Sequence, residues 1–299
     1  MWSERDIPDL SGRNAIVTGA NTGIGLETAR ALAQKGASVV MACRNLEKGN
    51  AAAEEIRRRV PGIGDGIVVM ELDLSDLASV KRFVEAYTSR HNTLDILCNN
   101  AGVMMLPERQ ETTDGFEMQF GTNHFGHFAL TGLLFDLLRQ TPGARVVTVS
   151  STGHRFGKID FENLNAERSY HPTWTYGASK LANLLFTYEL QRRLERAGID
   201  MTATAAHPGW TATDLQRHAG ALRFMNIFMA QKPPMGALPT LFAAISGDIR
   251  GGEYAGPRGF MEQRGYPKKV KSSAASHDEE IARRLWEISE ELTGVHFPF

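Results

Sequence analysis

Six strand-length apolar runs, spaced along the chain with longer helical stretches between them, restrict its fold more than any other feature. They lie at Asn14–Thr18, Ser38–Ala42, Ile67–Glu71, Leu94–Cys98, Arg145–Val149 and Met201–Ala206. Runs this short and this continuously apolar suit parallel strands buried on both faces. Helical spacing occupies Ile24–Lys35, Leu46–Arg59, Ser75–Arg90, Phe116–Leu138 and Tyr176–Arg196. Right-handed crossovers then place helices on both faces of one sheet, which predicts an α/β, doubly wound parallel architecture. Ligands of such sheets sit beyond the carboxyl ends of the strands, where the strand order reverses. The chain has 299 residues and no linker-like shift in composition, so a single domain over 1–299 is expected.

The first run is followed by Thr18-Gly19-Ala20-Asn21-Thr22-Gly23-Ile24-Gly25 and then by an Ala-rich helix. Glycines spaced in this way let the backbone approach a pyrophosphate, and the free N–H groups and dipole of the helix favour its charge. The turn predicts a dinucleotide half over about 12–150, contacted at Gly19, Asn21, Thr22, Gly23, Ile24 and Gly25, and a catalytic and substrate half over about 151–299. The second run ends Ala42-Cys43-Arg44, with no carboxylate to accept from a ribose 2'-hydroxyl. Arg44 suits a 2'-phosphate, which favours NADP over NAD, although an exposed surface arginine gives the same pattern. After the third run, Asp73 and Leu74 fall where an adenine would lie; Asp73 suits either the adenine amino group or a helix cap near Ser75.

A formal net charge of -1 offers nothing to attract nucleic acid or anionic lipid, so a small molecule is the expected partner. Only Cys43 and Cys98 occur, each in an apolar run, as suits reduced thiols and a cytoplasmic protein. No apolar run approaches the ~18 residues of a bilayer span, and Met1–Leu10 carries four charged side chains instead of a signal-like stretch.

Tyr176 and Lys180 stand four apart on a helical stretch and so project from one face. An ammonium beside a phenol favours the phenolate, which allows proton exchange with a substrate oxygen at neutral pH. Asn123 lies in the helix before the fifth run, and Ser150 and Ser151 follow that run. Neighbours in a strand point to opposite sides, so spacing alone does not decide which serine faces a substrate.

Together, the turn Thr18–Gly25, the stretch Asn99-Asn100-Ala101-Gly102, Ser151, Tyr176-Gly177-Ala178-Ser179-Lys180 and Pro208-Gly209 resemble the short-chain dehydrogenase/reductase family over nearly the whole chain. The resemblance implies a seven-stranded Rossmann sheet, with Asn123, Ser151, Tyr176 and Lys180 as catalytic tetrad and Ser151 chosen over Ser150. It also implies that the Asn123 backbone holds a water beside Lys180 and that Lys180 holds the nicotinamide ribose. Further cofactor contacts are implied at Asn100, Ala101, Gly102, Pro208, Gly209, Thr211 and Thr213. Within the family, Ala42-Cys43-Arg44, Asn100–Met105, Lys180-Leu181-Ala182-Asn183 and the 25-residue interval from Ser151 to Tyr176 are similar to the retinol dehydrogenase and WW-domain oxidoreductase branch. An N-terminal anchor and a WW module are not expected here, so retinoid specificity is not carried over. The implied function is an NADP-preferring carbonyl reductase or alcohol dehydrogenase for a lipophilic small molecule, with a homodimer as a family-level expectation. A protein that binds and senses NADP(H) without turnover is the competing reading.

Met104, Met105 and Leu106, together with Leu222, Phe224, Met225, Ile227, Phe228 and Met229, suit either the wall of an apolar pocket or ordinary core. The insertion Thr152–Thr175, with Phe156, Phe161 and Trp174, suits a lid or a packed surface excursion. His124 and His127, three apart, lack the further ligands of a metal site and read as packed or hydrogen-bonded side chains.

Overall fold

The computed structural model describes residues 1–211 and 231–299. In chain order its main elements are β1 (Asn14–Thr18), α1 (Gly23–Gln34), β2 (Ser38–Cys43), α2 (Leu46–Arg59), β3 (Ile67–Glu71), α3 (Leu77–Thr88) and β4 (Ile96–Asn99). They continue with α4 (Met118–Phe120), a π-helical turn (Gly121–Phe125), α5 (Gly126–Leu133), α6 (Phe135–Gln140), β5 (Ala144–Val149), α7 (Pro172–Ala197) and β6 (Met201–Ala206). Beyond residue 230 come α8 (Pro233–Ile245), β7 (Tyr254–Pro257), β8 (Pro267–Val270) and α9 (Glu279–Thr293).

One sheet runs β3-β2-β1-β4-β5-β6-β7-β8, with strands from both the predicted nucleotide half and the catalytic half. All neighbours are parallel except β7 and β8. From β1 the chain winds outward to β3, then crosses back to β4 on the other side, so the order reverses between β1 and β4. The two faces follow from strand alternation. Ala15, Val17, Val39 and Met41 pack with Leu32, Ile56 and Leu241 on one face. Ile16, Val40, Leu97 and Val146 pack with Phe83, Phe128, Phe135 and Trp286 on the other.

Four features differ from expectation, each for a local reason. The sheet has eight strands among the described residues, where the resemblance implies seven, because β8 adds antiparallel to β7 through Tyr254↔Val270 to Pro257↔Pro267. β4 begins at Ile96: the Asp95 carboxylate turns toward β1, accepting from the Asn14 N–H at 2.8 Å and from Arg13 at 2.6 Å. The stretch Phe116–Leu138 is not one regular helix, because the π-helical turn interrupts it before Gly126 packs against Leu74 with no room for a Cβ. α7 starts four residues before Tyr176, with Pro172 in its first turn, where a missing N–H costs nothing.

No helix among the described residues is long and apolar enough to cross a membrane. Cys43 and Cys98 are both free and buried, and burial pushes their thiols up to about 11 and about 12.

Candidate active site

At the carboxyl end of β1 the chain turns through Gly19 (φ +65°) and Gly23 (φ +58°), conformations that L side chains rarely adopt. A Cβ on Gly19 would come within 3.0 Å of Ala101, and one on Gly25 within 2.5 Å of the Gly19 carbonyl. The turn is therefore a cradle lined by backbone in front of α1, and the phosphates of a dinucleotide fit it. Ala20 is buried beneath it, while Asn21, Thr22, Gly23 and Ile24 are half-buried at its lip. The Thr18 hydroxyl oxygen accepts from the N–H groups of Asn100 and Ala101, each at 2.9 Å, and the Asn100 amide donates to the Thr18 carbonyl at 2.8 Å. These bonds lock the ends of β1 and β4 together where the strand order reverses. Asn100 thus acts through its side chain on β1, a role its place in the motif does not reveal.

Arg44, the first residue past β2, is exposed. Asp73 accepts from the Ser75 N–H at 2.9 Å and the Ser75 hydroxyl at 2.6 Å, both through Oδ1. The cap of α3 is Asp76, which accepts from the Ala78 N–H at 2.9 Å. Asp73 therefore shapes the turn before the helix instead of capping it, and its Oδ2 has no hydrogen bond among the described residues. Leu74 is buried against Gly126. Past β6, Gly209 takes φ +66°, and the Pro208 carbonyl accepts from the Thr211 hydroxyl at 3.0 Å and the Gln231 amide at 2.7 Å. Thr213 and the apolar residues 222–229 lie outside the described residues.

The polar residues of the second half converge on the same edge of the sheet. Tyr176 and Lys180 are buried on one face of α7, with the ammonium nitrogen 5.9 Å from the centre of the phenol ring. The Lys180 Nζ donates to the Val149 carbonyl at the end of β5 at 3.0 Å. Ser151 hydrogen-bonds the Tyr176 phenol and also accepts from the Gly153 N–H at 3.1 Å. Ser150 points away, donating to the Lys180 carbonyl at 2.7 Å, so the structure separates the two serines that spacing leaves open. The Asn123 side chain accepts from the Val103 N–H at 2.8 Å and donates to the Val103 carbonyl and the Ser179 hydroxyl, each at 3.0 Å. A Cβ on Gly102 would stand 3.0 Å from Asn123 Oδ1 and 3.5 Å from Lys180 Nζ, so this glycine leaves the floor of the site open.

The electrostatics differ from the sequence expectation in one respect. Burial holds the Tyr176 phenol above its ordinary value, opposed by the Ser151 hydrogen bond, and burial pulls the Lys180 ammonium down to about 8. Without a ligand the tyrosine is thus an uncharged phenol, because burial disfavours the phenolate.

Sequence reasoning missed two neighbours. Asn183, one helical turn past Lys180, donates to the same Val149 carbonyl at 3.1 Å. Gln119 is fully buried and accepts from the Met105 N–H at 2.6 Å while donating to the Tyr170 hydroxyl and the Pro172 carbonyl. The face shared with Tyr176 and Lys180 was a signal for Asn183; nothing local marks Gln119. Met104 and Met105 are half-buried after β4, and Leu106 is buried. The insertion Thr152–Thr175 packs against α7 and borders a half-open cavity of about 340 Å³ lined by Phe120, Phe156, Tyr170, Trp174 and Ala178. Phe156 reaches back to Gly153 and Gly177, while it and Trp174 stay exposed at the border of this cavity.

Comparison with known proteins agrees with this arrangement. The short chain dehydrogenase family model matches residues 13–222. Retinol dehydrogenase 11 of Homo sapiens is 42% identical over 289 residues, 96% of this chain and 87% of that protein. Retinol dehydrogenase 14 of Mus musculus is 41% identical over 303 residues, covering 96% and 87% respectively. The solved structure of an uncharacterised protein from Mycobacterium paratuberculosis has 43% identity and a TM-score of 0.83, covering 100% of this chain and 99% of that one. A Pseudomonas aeruginosa RhlG/NADP active-site complex has 25% identity and a TM-score of 0.64, covering 82% and 94%. A glycine cradle at the switch point, a buried tyrosine and lysine on one helix face, and relatives matched over nearly their full length lead to one assignment: the chain belongs to the short chain dehydrogenases, an oxidoreductase family, in its retinol dehydrogenase-like branch.

Proposed function

We propose that this enzyme moves a hydride between NADP(H), preferred over NAD(H), and a carbonyl or alcohol of a lipophilic small molecule. The observation that carries the reading is the meeting of Ser151, Tyr176, Lys180 and Asn123 around Gly102, beside the glycine cradle. The cradle and Gly102, with Asp73, Pro208, Gly209 and Thr211, would hold the nucleotide, and Arg44 would meet a 2'-phosphate. The nicotinamide, when bound, supplies or accepts the hydride.

Tyr176 gives its phenolic proton to the substrate oxygen in reduction and takes it back in oxidation. Ser151 steadies that oxygen as negative charge develops on it. Lys180, still mostly protonated at neutral pH, lowers the energy of the phenolate that Tyr176 becomes when it gives up its proton. Asn123 fixes the Val103 backbone through both ends of its amide and so sets the wall opposite α7. Met104, Met105 and Leu106, next along that wall, favour an apolar substrate. Two buried free thiols support a cytoplasmic location, and the family resemblance supports a homodimer of single-domain subunits.

The test is NADPH oxidation against a panel of aldehydes and ketones with the purified protein. Turnover is expected, and Tyr176→Phe is expected to abolish it while nucleotide binding stays measurable. Tight nucleotide binding with no turnover across the panel would instead select the sensor.

A further inference from the structure

His127 is fully buried, touches no surface, and is not used by the chemistry above. Its two nitrogens face two different parts of the site. Nδ1 lies 3.0 Å from the backbone carbonyl of Asn123, and Nε2 lies 2.9 Å from the Thr18 hydroxyl. A carbonyl only accepts, so Nδ1 carries the hydrogen. The Thr18 hydroxyl oxygen already accepts from the Asn100 and Ala101 N–H groups, so its own proton is free to donate. The alternative acceptor for that proton, the Cys98 carbonyl, is farther away at 3.3 Å. The imidazole is therefore neutral, with a donor at Nδ1 and an acceptor at Nε2, and burial, which pulls its value down to about 4, keeps it so.

The ring spans the π-helical turn that carries Asn123 and the end of β1 from which the glycine cradle starts. Further along α5 the chain of bonds continues: the Thr131 hydroxyl donates to the His127 carbonyl at 2.8 Å and accepts from the Asn99 amide at 2.9 Å. His124, one turn earlier, is used differently. Its Nε2 faces the Ser289 hydroxyl at 3.0 Å on α9, and its side chain meets Asn183. Thus His124 ties the π-turn to the C-terminal helix, whereas His127 ties it to the end of β1.

We propose that His127 is a positioning residue: as the neutral Nδ1–H tautomer it holds the Asn123 carbonyl and the Thr18 hydroxyl at once, and so fixes the distance between the Asn123–Lys180 side of the site and the nucleotide cradle. The inference rests on the hydride-transfer reading for its effect on rate, but its hydrogen-bond pattern is independent of that reading. Two substitutions divide the ring's two roles. In His127→Asn the amide nitrogen replaces Nδ1 and keeps the Asn123 bond. In His127→Gln the longer amide reaches Thr18 in place of Nε2 and gives up Asn123.

Carbonyl reduction by the full chain is measured for both variants, with kcat and KM separated and NADPH binding measured by fluorescence. With each end of the bridge worth about one neutral hydrogen bond of alignment, His127→Gln is expected to lower kcat roughly fivefold with KM nearly unchanged. His127→Asn, which opens the bridge at its Thr18 end, is expected to lower kcat by a similar factor and to weaken NADPH binding as well. Either variant with undiminished kcat overturns the proposal, as do losses in both that merely track their melting temperatures. Imidazole nitrogen NMR on the unaltered protein supplies a readout that needs neither folding of the variants nor turnover. It is expected to show His127 as the Nδ1–H tautomer, uncharged from pH 8 down to pH 5. An Nε2–H tautomer or an imidazolium in that range overturns the assignment. Absence of turnover by the unaltered protein would remove the hydride-transfer reading, while the tautomer measurement would still decide the bridge.

Discussion

Lys180→Met should make the unliganded protein more stable while destroying its activity. The Lys180 ammonium is buried, and its value falls from 10.5 to about 8 with burial as the cause. At about 1.4 kcal/mol per unit, this corresponds to a folding penalty of about 3 kcal/mol. Between pH 8 and 10.5 the unfolded chain holds this proton and the folded one releases it. Stability therefore rises with pH across that window, and the penalty is complete below pH 8. Methionine has a similar reach and no charge. The Val149 carbonyl that Lys180 now meets keeps a donor, since the Asn183 amide reaches it at 3.1 Å. Urea unfolding of both proteins without nucleotide is the assay. At pH 7 the variant is expected to be more stable by about 3 kcal/mol, and at pH 9.5 the gap should shrink to about half of that or less by the same linkage. A variant less stable at pH 7, or a gap that does not narrow as pH rises, would refute the claim that an energetically costly charge is held here for function.

Two further outcomes follow from the cofactor end. Arg44→Ala is expected to weaken NADPH binding about 10- to 100-fold, the value of a charge-assisted phosphate pair, and NADH binding by no more than about twofold; equal losses, or none, would sink the 2'-phosphate assignment. Gly25→Ala places a Cβ 2.5 Å from the Gly19 carbonyl. Overpacking of this kind costs about 1–3 kcal/mol and should weaken nucleotide binding at least about tenfold in a fluorescence titration. Unchanged binding would mean that the turn is not where the phosphates lie.

The parts of this fold that were legible in the sequence are those in which a local pattern and its tertiary setting agree. β1, β2, β5 and β6 are continuous apolar runs because both faces of a parallel strand are covered, and with β3, an edge strand that leaves Val68 and Glu71 exposed, they emerge within a residue of expectation. β7 and β8 are four residues each, bounded by proline and glycine, and one of them lies at an edge, so neither carries a period long enough to read. The helix around Asn123 looked regular because its apolar spacing survives the π-helical turn; what breaks it is the approach of Gly126 to Leu74, a contact between residues 52 apart. At the site, residue types and spacing were enough to nominate Tyr176 and Lys180, but not to rank their protonation. That depends on burial, which only the packed structure reveals. The bond that turns Ser150 toward the Lys180 carbonyl is equally invisible in one dimension.

The antiparallel eighth strand bears on how this molecule can meet others of its kind. β8 forms one border of the sheet, and its exposed Lys268 and Lys269 follow directly on Pro267, which has no N–H to offer. A second copy zipping onto this border in two-fold fashion would set ammonium groups against ammonium groups and find gaps in the ladder. Self-association by extending the sheet is thus discouraged on this flank.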